Sequence, residues 1–274
     1  MTQHPQPPRL VDLQPSAEAP ARAIAKAQNF TVERLCGGSA TPFPIASETE
    51  LIILLPRTGA RLSGAREAEL PGQAIAIVPP GTYTLTVPEA GEVFVLATDS
   101  TVAGEVPDDH HTGHDPRIRA VGRPYQRVAR RGEVRIHPVA SIPIPPDNGR
   151  LRFVQSETMS LNWVEYDGVR DRSALSPHAH TDFEQASLAI EGAFIHHLRT
   201  PWGRNADLWQ EDQHLVAGPA SVMIIPPEIV HTTEGSGGGR HVLVDVFAPP
   251  RDDFIARGWV FNADEYVALA PVAA

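Results

Sequence analysis

Cysteine is nearly absent. Cys36 is the only one in 274 residues, so no intrachain disulfide can form and every cysteine-rich zinc pattern is excluded. Lysine is equally scarce: Lys26 stands alone among 23 basic side chains, against 33 acidic ones. The resulting net charge of −10 argues against a nucleic-acid partner, whose backbone is bound mainly by Lys and Arg neutralising phosphates. No apolar run approaches the roughly 20 residues needed to span a bilayer; Leu51–Pro56 is among the longest. The first twenty residues are proline-rich and lack a basic stretch followed by an apolar one, so they do not read as a signal peptide, and a cytoplasmic protein without a membrane partner is expected. No Gly-x-Ser-x-Gly elbow is present, which leaves serine-hydrolase chemistry unsupported. Gly235–Gly239 lacks the following Lys-Ser/Thr of a phosphate loop and reads as a flexible hairpin.

Proline (27) and glycine (21) are plentiful. Both interrupt helices and mark turns, so many short strands and few long helices are expected. Short apolar runs bounded by turn residues recur from residue 48 onward and suggest a β-sandwich or barrel. Residues 1–44 read as an N-terminal arm, with a short helix over Ala21–Ala27. A first β lobe is expected over 45–100, a connector over 101–149, a second lobe over 150–262 and a tail over 263–274 holding little regular structure. Asp108, Asp109, His110, His111, His114 and Asp115 carry metal-friendly side chains but have no rigid frame, and read as a solvated loop. An internal repeat organises the whole. Gly72 to Thr84 and Gly218 to His231 share a glycine, an apolar strand, Pro-Pro and three residues before a polar side chain. Two copies of one β unit fit better than one long sandwich.

The densest group of ligand-type residues is Pro177-His178-Ala179-His180-Thr181-Asp182-Phe183-Glu184-Gln185. In a strand, side chains two apart share a face, so His178 and His180 point the same way, and Glu184 joins them if the strand runs on without a bulge. Two imidazoles and a carboxylate on one side suit Fe(II), Mn(II), Ni(II) or Zn(II). The plainer reading is a strand edge that happens to be polar; His231 after a second Pro-Pro turn weighs against it.

His178-x-His180-x3-Glu184 followed by Gly192 resembles the first cupin motif, and Gly218 through Pro226-x-Glu228-x2-His231 resembles the second. The resemblance implies an all-β bicupin of two jelly-roll barrels. It also implies one divalent transition metal (Fe, Mn, Ni or Zn) in the second barrel, held by His178, His180, Glu184 and His231. Two departures stand out. Glu228 replaces a glycine usual in the second motif, and Gly192 lies eight residues after Glu184 where seven is usual. Counting back from Gly192 selects Gln185 as the third ligand; counting forward from His180 selects Glu184, favoured because a charged oxygen offsets more of the divalent charge. The first lobe lacks the set: Thr49–Leu55 has no histidine and Thr84 takes the place of His231. It therefore resembles a degenerate cupin.

After Gly192, strand parity puts Phe194, His196 and Leu198 on one face and Ile195, His197 and Arg199 on the other. His196 or His197 is a candidate acid/base and Arg199 a candidate carboxylate binder; a histidine simply satisfied in the barrel wall is the plainer alternative. Leu243 to Phe254 resembles the exit of small cupins that act on unsaturated uronic acids. The favoured function is a metal-dependent isomerase or lyase acting on a small hydroxy-acid or sugar-derived acid. A non-haem Fe(II) dioxygenase and a non-catalytic ligand-binding cupin are the alternatives. A homodimer paired through sheet edges is the expected assembly.

Overall fold

The computed structural model describes residues 7–14, 21–38, 41–98, 113–146 and 149–269. Runs such as Leu51–Leu55 and Ala74–Val78 are apolar at every position because both of their faces are covered. They are central strands of two six-stranded sheets with the same order. The first runs Arg135–Pro138, Ala74–Val78, Leu51–Leu55, Glu92–Ala97, Thr31–Cys36, Arg22–Lys26; the second runs Arg9–Asp12, Ser221–Ile225, Gln185–Glu191, Arg240–Phe247, Ser160–Asp167, Leu151–Gln155. Each sheet is closed into a barrel by a smaller one, of four strands in the first lobe and three in the second.

The two large sheets pack against each other. One continuous core takes Ile52, Leu54, Ile75, Ile77, Phe94 and Leu96 from the first and Leu188, Val222, Ile224, Val244 and Val246 from the second. Their opposite faces line the two barrels. The first barrel is filled by an unbroken apolar cluster that includes Ile45, Leu51, Ile53, Tyr83, Leu85 and Val95. The second is different: its apolar residues fall into separate groups around Phe194, Leu198 and Phe247, leaving polar side chains between them.

Register makes the repeat explicit. Leu51 pairs with Val78 as Gln185 pairs with Ile225, each just before a Pro-Pro turn. Leu51 therefore corresponds to Gln185, and Glu50 to Glu184. Gln73 and Ala220, which precede the equivalent strands, share the left-handed backbone (φ 56° and 58°). Beyond the turns the copies slip by one. Thr84, the counterpart of His231 by counting from the prolines, faces outward, while Tyr83 faces the barrel and pairs with Ile45. One residue fewer in a turn reverses strand parity.

Several expectations are corrected. Ala21–Ala27 is not a helix: Arg22–Lys26 is a strand paired with Thr31–Cys36, because sheet pairing overrides the helix propensity of alanine. The strands of the first lobe thus begin at Arg22. Arg9–Asp12, expected in a loose arm, forms the edge of the second lobe's sheet, and Arg135–Pro138 from the connector forms the edge of the first lobe's. Asp108 to Thr112 lie outside the described residues. His114 is exposed, and Asp115 is buried and bonded to Arg117. Asp252–Ala256, before the tail, is one turn of helix; within the tail, Tyr266–Ala268 is a strand paired with Tyr125–Arg127. No helix among the described residues is long and apolar enough to cross a membrane.

Glu50 closes the lobe junction. Its carboxylate meets Arg127 at 2.9 Å and accepts hydrogen bonds from Tyr266 Oη (2.9 Å) and the Glu157 amide (3.0 Å). Burial raises the Glu50 carboxyl to about 7, with Arg127 working against that rise. Arg127→Leu strands this acid and is expected to cost about 3–5 kcal/mol in urea denaturation near neutral pH. The loss should shrink as pH falls, because the carboxyl then takes up a proton. Glu50→Leu/Arg127→Leu should recover most of it.

Candidate metal centre

His178 forms an isolated antiparallel bridge with His231, and His180 follows two residues on. Their ligand-capable nitrogens lie within 4.8 Å of one another, the one such three-residue cluster among the described residues. Backbone carbonyls set two of the tautomers. His178 Nδ1 donates to Ser176 O (2.9 Å) and His231 Nδ1 to Ile229 O (2.9 Å), which leaves each Nε2 lone pair for the centre.

The fourth group is Gln185, not Glu184. Gln185 Oε1 lies 2.9 Å from His180 Nε2 and 3.3 Å from His231 Nε2. Glu184 points the other way, and its Oε2 accepts the Gln28 amide at 2.5 Å. The expectation for Glu184 assumed a strand continuous from His178. Residues 181–184 instead form a bend and regular pairing starts at Gln185, so alternation does not carry across. A bulge between Ala189 and Glu191 follows, then Gly192 at φ +90°, where a Cβ would lie 2.6 Å from the His241 ring.

A polar group under Gln185 orients its amide. Gln185 Nε2 donates to Asp245 Oδ1 (3.0 Å) and Ser187 Oγ (3.0 Å), and Ser187 Oγ donates to the same Asp245 oxygen (2.6 Å). Asn162 Nδ2 approaches Asp245 Oδ2 at 3.5 Å. Flipping the amide would set its oxygen against a carboxylate, so Asp245 holds Oε1 toward the histidines. A glutamate at 185 would meet the same carboxylate, which explains why this position carries an amide.

The donor set fits a cation. His231 Nε2 and Gln185 Oε1 are both acceptors, 3.3 Å apart. Protonating His231 would reconcile them, but burial lowers its pKa to about 4. Imidazoles bound to one ion at about 2.1 Å and at right or tetrahedral angles place ring centres about 4.5–5.3 Å apart. The three pairs here measure 4.4, 5.0 and 5.2 Å. All four donors are neutral, so most of a divalent charge would stay available to a ligand's oxygen.

His196, Phe194 and Leu198 face the lumen, and His196 Nδ1 bonds Thr233 Oγ1 at 3.0 Å. Its Nε2 is enclosed and unpartnered, and burial lowers its pKa to about 4. The other two candidates face outward. On that face His197 bridges His214 Nδ1 (2.7 Å) and the buried Glu234 Oε2 (3.0 Å), and exposed Arg199 pairs with Asp212 at 2.6 Å; His197 and Arg199 line a cavity with His231. Sequence reasoning missed Asp245 and Ser187, since a lone acid in an apolar strand carries no local pattern. It also missed Phe183, which packs between His180 and the Arg251 guanidinium, each 4.2 Å away. Trp163 lies in the core between the sheets and Met223 in the second barrel. Trp202 and Trp209 stack at 4.6 Å in the loop beyond Arg199.

No family model and no curated protein matches the sequence. Solved structures do match the fold. A structure of AerE from Microcystis aeruginosa superposes with a TM-score of 0.54 at 10% identity, over 89% of this chain and 98% of that one. A Bacillus subtilis oxalate decarboxylase variant gives 0.55 at 11% over 98% and 76%, and an 11S globulin from Wrightia tinctoria gives 0.56 at 10% over 89% and 84%. The chain has the two-lobed cupin fold.

Burial holds His180 near 3 and His196 and His231 near 4, below the ordinary 6.5. The unfolded chain binds more protons at these sites between pH 6.5 and about 4, so metal-free stability should fall as pH drops through that window. Chemical denaturation of chelated protein at pH 7, 6 and 5 checks this, and His196→Leu should flatten the decline.

Proposed function

We propose that the chain is a metal-dependent cupin enzyme of the isomerase or lyase type, acting on a small polar or anionic substrate such as a hydroxy-acid or sugar-derived acid. The observation that carries this reading is the meeting of His178, His180 and His231 with Gln185 Oε1 in the second lobe. These four residues would hold one divalent transition metal. A bound metal supplies Lewis-acid polarisation of a carbonyl or carboxylate oxygen. The ligand set brings no negative charge of its own, which favours an anionic substrate.

The chain's own residues supply the rest. Asp245 and Ser187 orient the Gln185 amide from below. His196, uncharged at neutral pH, holds a free ring nitrogen on the lumen side and is the group we assign to proton transfer; general acid–base help of this kind is worth about 10²–10⁴ in rate. The first lobe offers Ile45, Leu51 and Tyr83 at the corresponding inward positions. None of them binds a metal well, so its role is support.

The test is elemental analysis of the purified protein together with turnover of uronic acids, keto acids and catechols, with and without oxygen. One transition metal per chain and anaerobic turnover are expected. His178→Ala/His231→Ala should lose both metal and turnover, and His196→Asn should keep the metal while kcat falls about 10²-fold or more. Oxygen uptake with a catechol would favour the dioxygenase alternative, and ligand binding with no product would favour a binding cupin. Gln185→Glu should destabilise the metal-free protein through repulsion with Asp245, and added Mn(II) or Zn(II) should restore its melting temperature.

A further inference from the structure

We propose that Glu184 and Arg117 are positioning residues through which the first lobe and the connector hold the ligand-bearing segments of the second, so that docking of the lobes sets the affinity of the centre. This rests on the metal reading above. Glu184 immediately precedes Gln185, and its buried carboxylate caps the amides of Gln28 and Asn29 at the turn between Arg22–Lys26 and Thr31–Cys36. The Gln28 side chain then brackets the backbone of Asp115, accepting from its N–H at 2.7 Å and donating to its carbonyl at 3.2 Å. Asp115 grips Arg117, whose Nη1 reaches Glu228 Oε2 at 2.6 Å. The Glu228 amide closes the circuit by donating to His180 O at 2.5 Å, and Arg119 N donates to Asp182 O at 2.8 Å. The segment 180–184 is thus held at His180, Asp182 and Glu184, and the turn before His231 at Glu228.

Two features point to a role in placing ligands. Glu228 has φ +70°, a backbone state that favours glycine. A glutamate there accepts strain and gains the contact with Arg117. The equivalent of Glu184 in the first lobe, Glu50, caps the equivalent turn of the second lobe at the Glu157 amide. The acid therefore recurs beside Leu51, where no ligand exists, so its common duty is the cap; in the second lobe alone the next residue is Gln185.

The test compares wild type with Arg117→Ala, Glu228→Gly, Glu184→Ala and Glu184→Gln by hydrogen exchange of the metal-free protein and by titration with Mn(II) and Co(II). Arg117→Ala and Glu228→Gly should speed exchange in 178–184 and 226–232 while the large sheets stay protected. Metal affinity should weaken about tenfold, within the range seen when partners of metal ligands are removed. Glu228→Gly should do this with its melting temperature unchanged or raised, which a merely structural role would not produce. Glu184→Gln, still able to accept from an amide, should rescue most of the Glu184→Ala loss. Unchanged exchange in those two segments, or faster exchange spread across both lobes, would overturn the inference. Failure of wild type to take up metal would sink the metal reading alone, and exchange would still decide whether the clamp holds these segments.

Discussion

Two lone pairs facing each other in a dry place impose the main constraint on this molecule. The His231 ring has its proton committed to a backbone carbonyl, the Gln185 amide is turned by Asp245, and burial keeps the ring from taking a second proton. An arrangement with acceptors on both sides is costly unless positive charge sits between them. The surrounding features answer to that demand. The apolar packing breaks into separate groups around it, and two peptide carbonyls hold the Nδ1 protons of His178 and His231, leaving their Nε2 atoms to the centre.

The first barrel shows what the same scaffold does without that demand. Leu51 stands where Gln185 does, and Ile53 and Val95 stand at the registers of Ser187 and Asp245. With aliphatic side chains in place of the polar floor, the first barrel holds one unbroken apolar core. Both lobes keep the outer face of their large sheet apolar, because that face is shared. The acid one residue before the floor is also kept, because it serves the junction between lobes.

Much of this was legible in the sequence. The His-x-His pair, the Pro-Pro turns and the repeat around Gly72 and Gly218 carry local signals, and they place the barrel and three of its donors. The fourth donor was not settled, since alternation predicts facing only within a continuous strand and residues 181–184 bend. The repeat held the missing clue: Glu50-Leu51 aligns with Glu184-Gln185, so the acid is the element common to both lobes. Arg22–Lys26 is a strand where a short helix is expected, because local preference is weak beside pairing with a neighbour. Strand parity alone offers His196 on one face or His197 and Arg199 on the other, and the structure turns the His196 face inward.

The edge strands carry a consequence of their own. Arg9–Asp12 precedes the first lobe yet borders the second, and Arg135–Pro138 follows the first lobe yet borders it. A cut in the intervening connector would give two fragments, the leading one carrying the selvedge of its partner's sheet and the trailing one returning the favour. Neither fragment alone would have a finished border, and each would expose unpaired backbone. Each large sheet is thus completed by a strand from outside its own stretch of sequence.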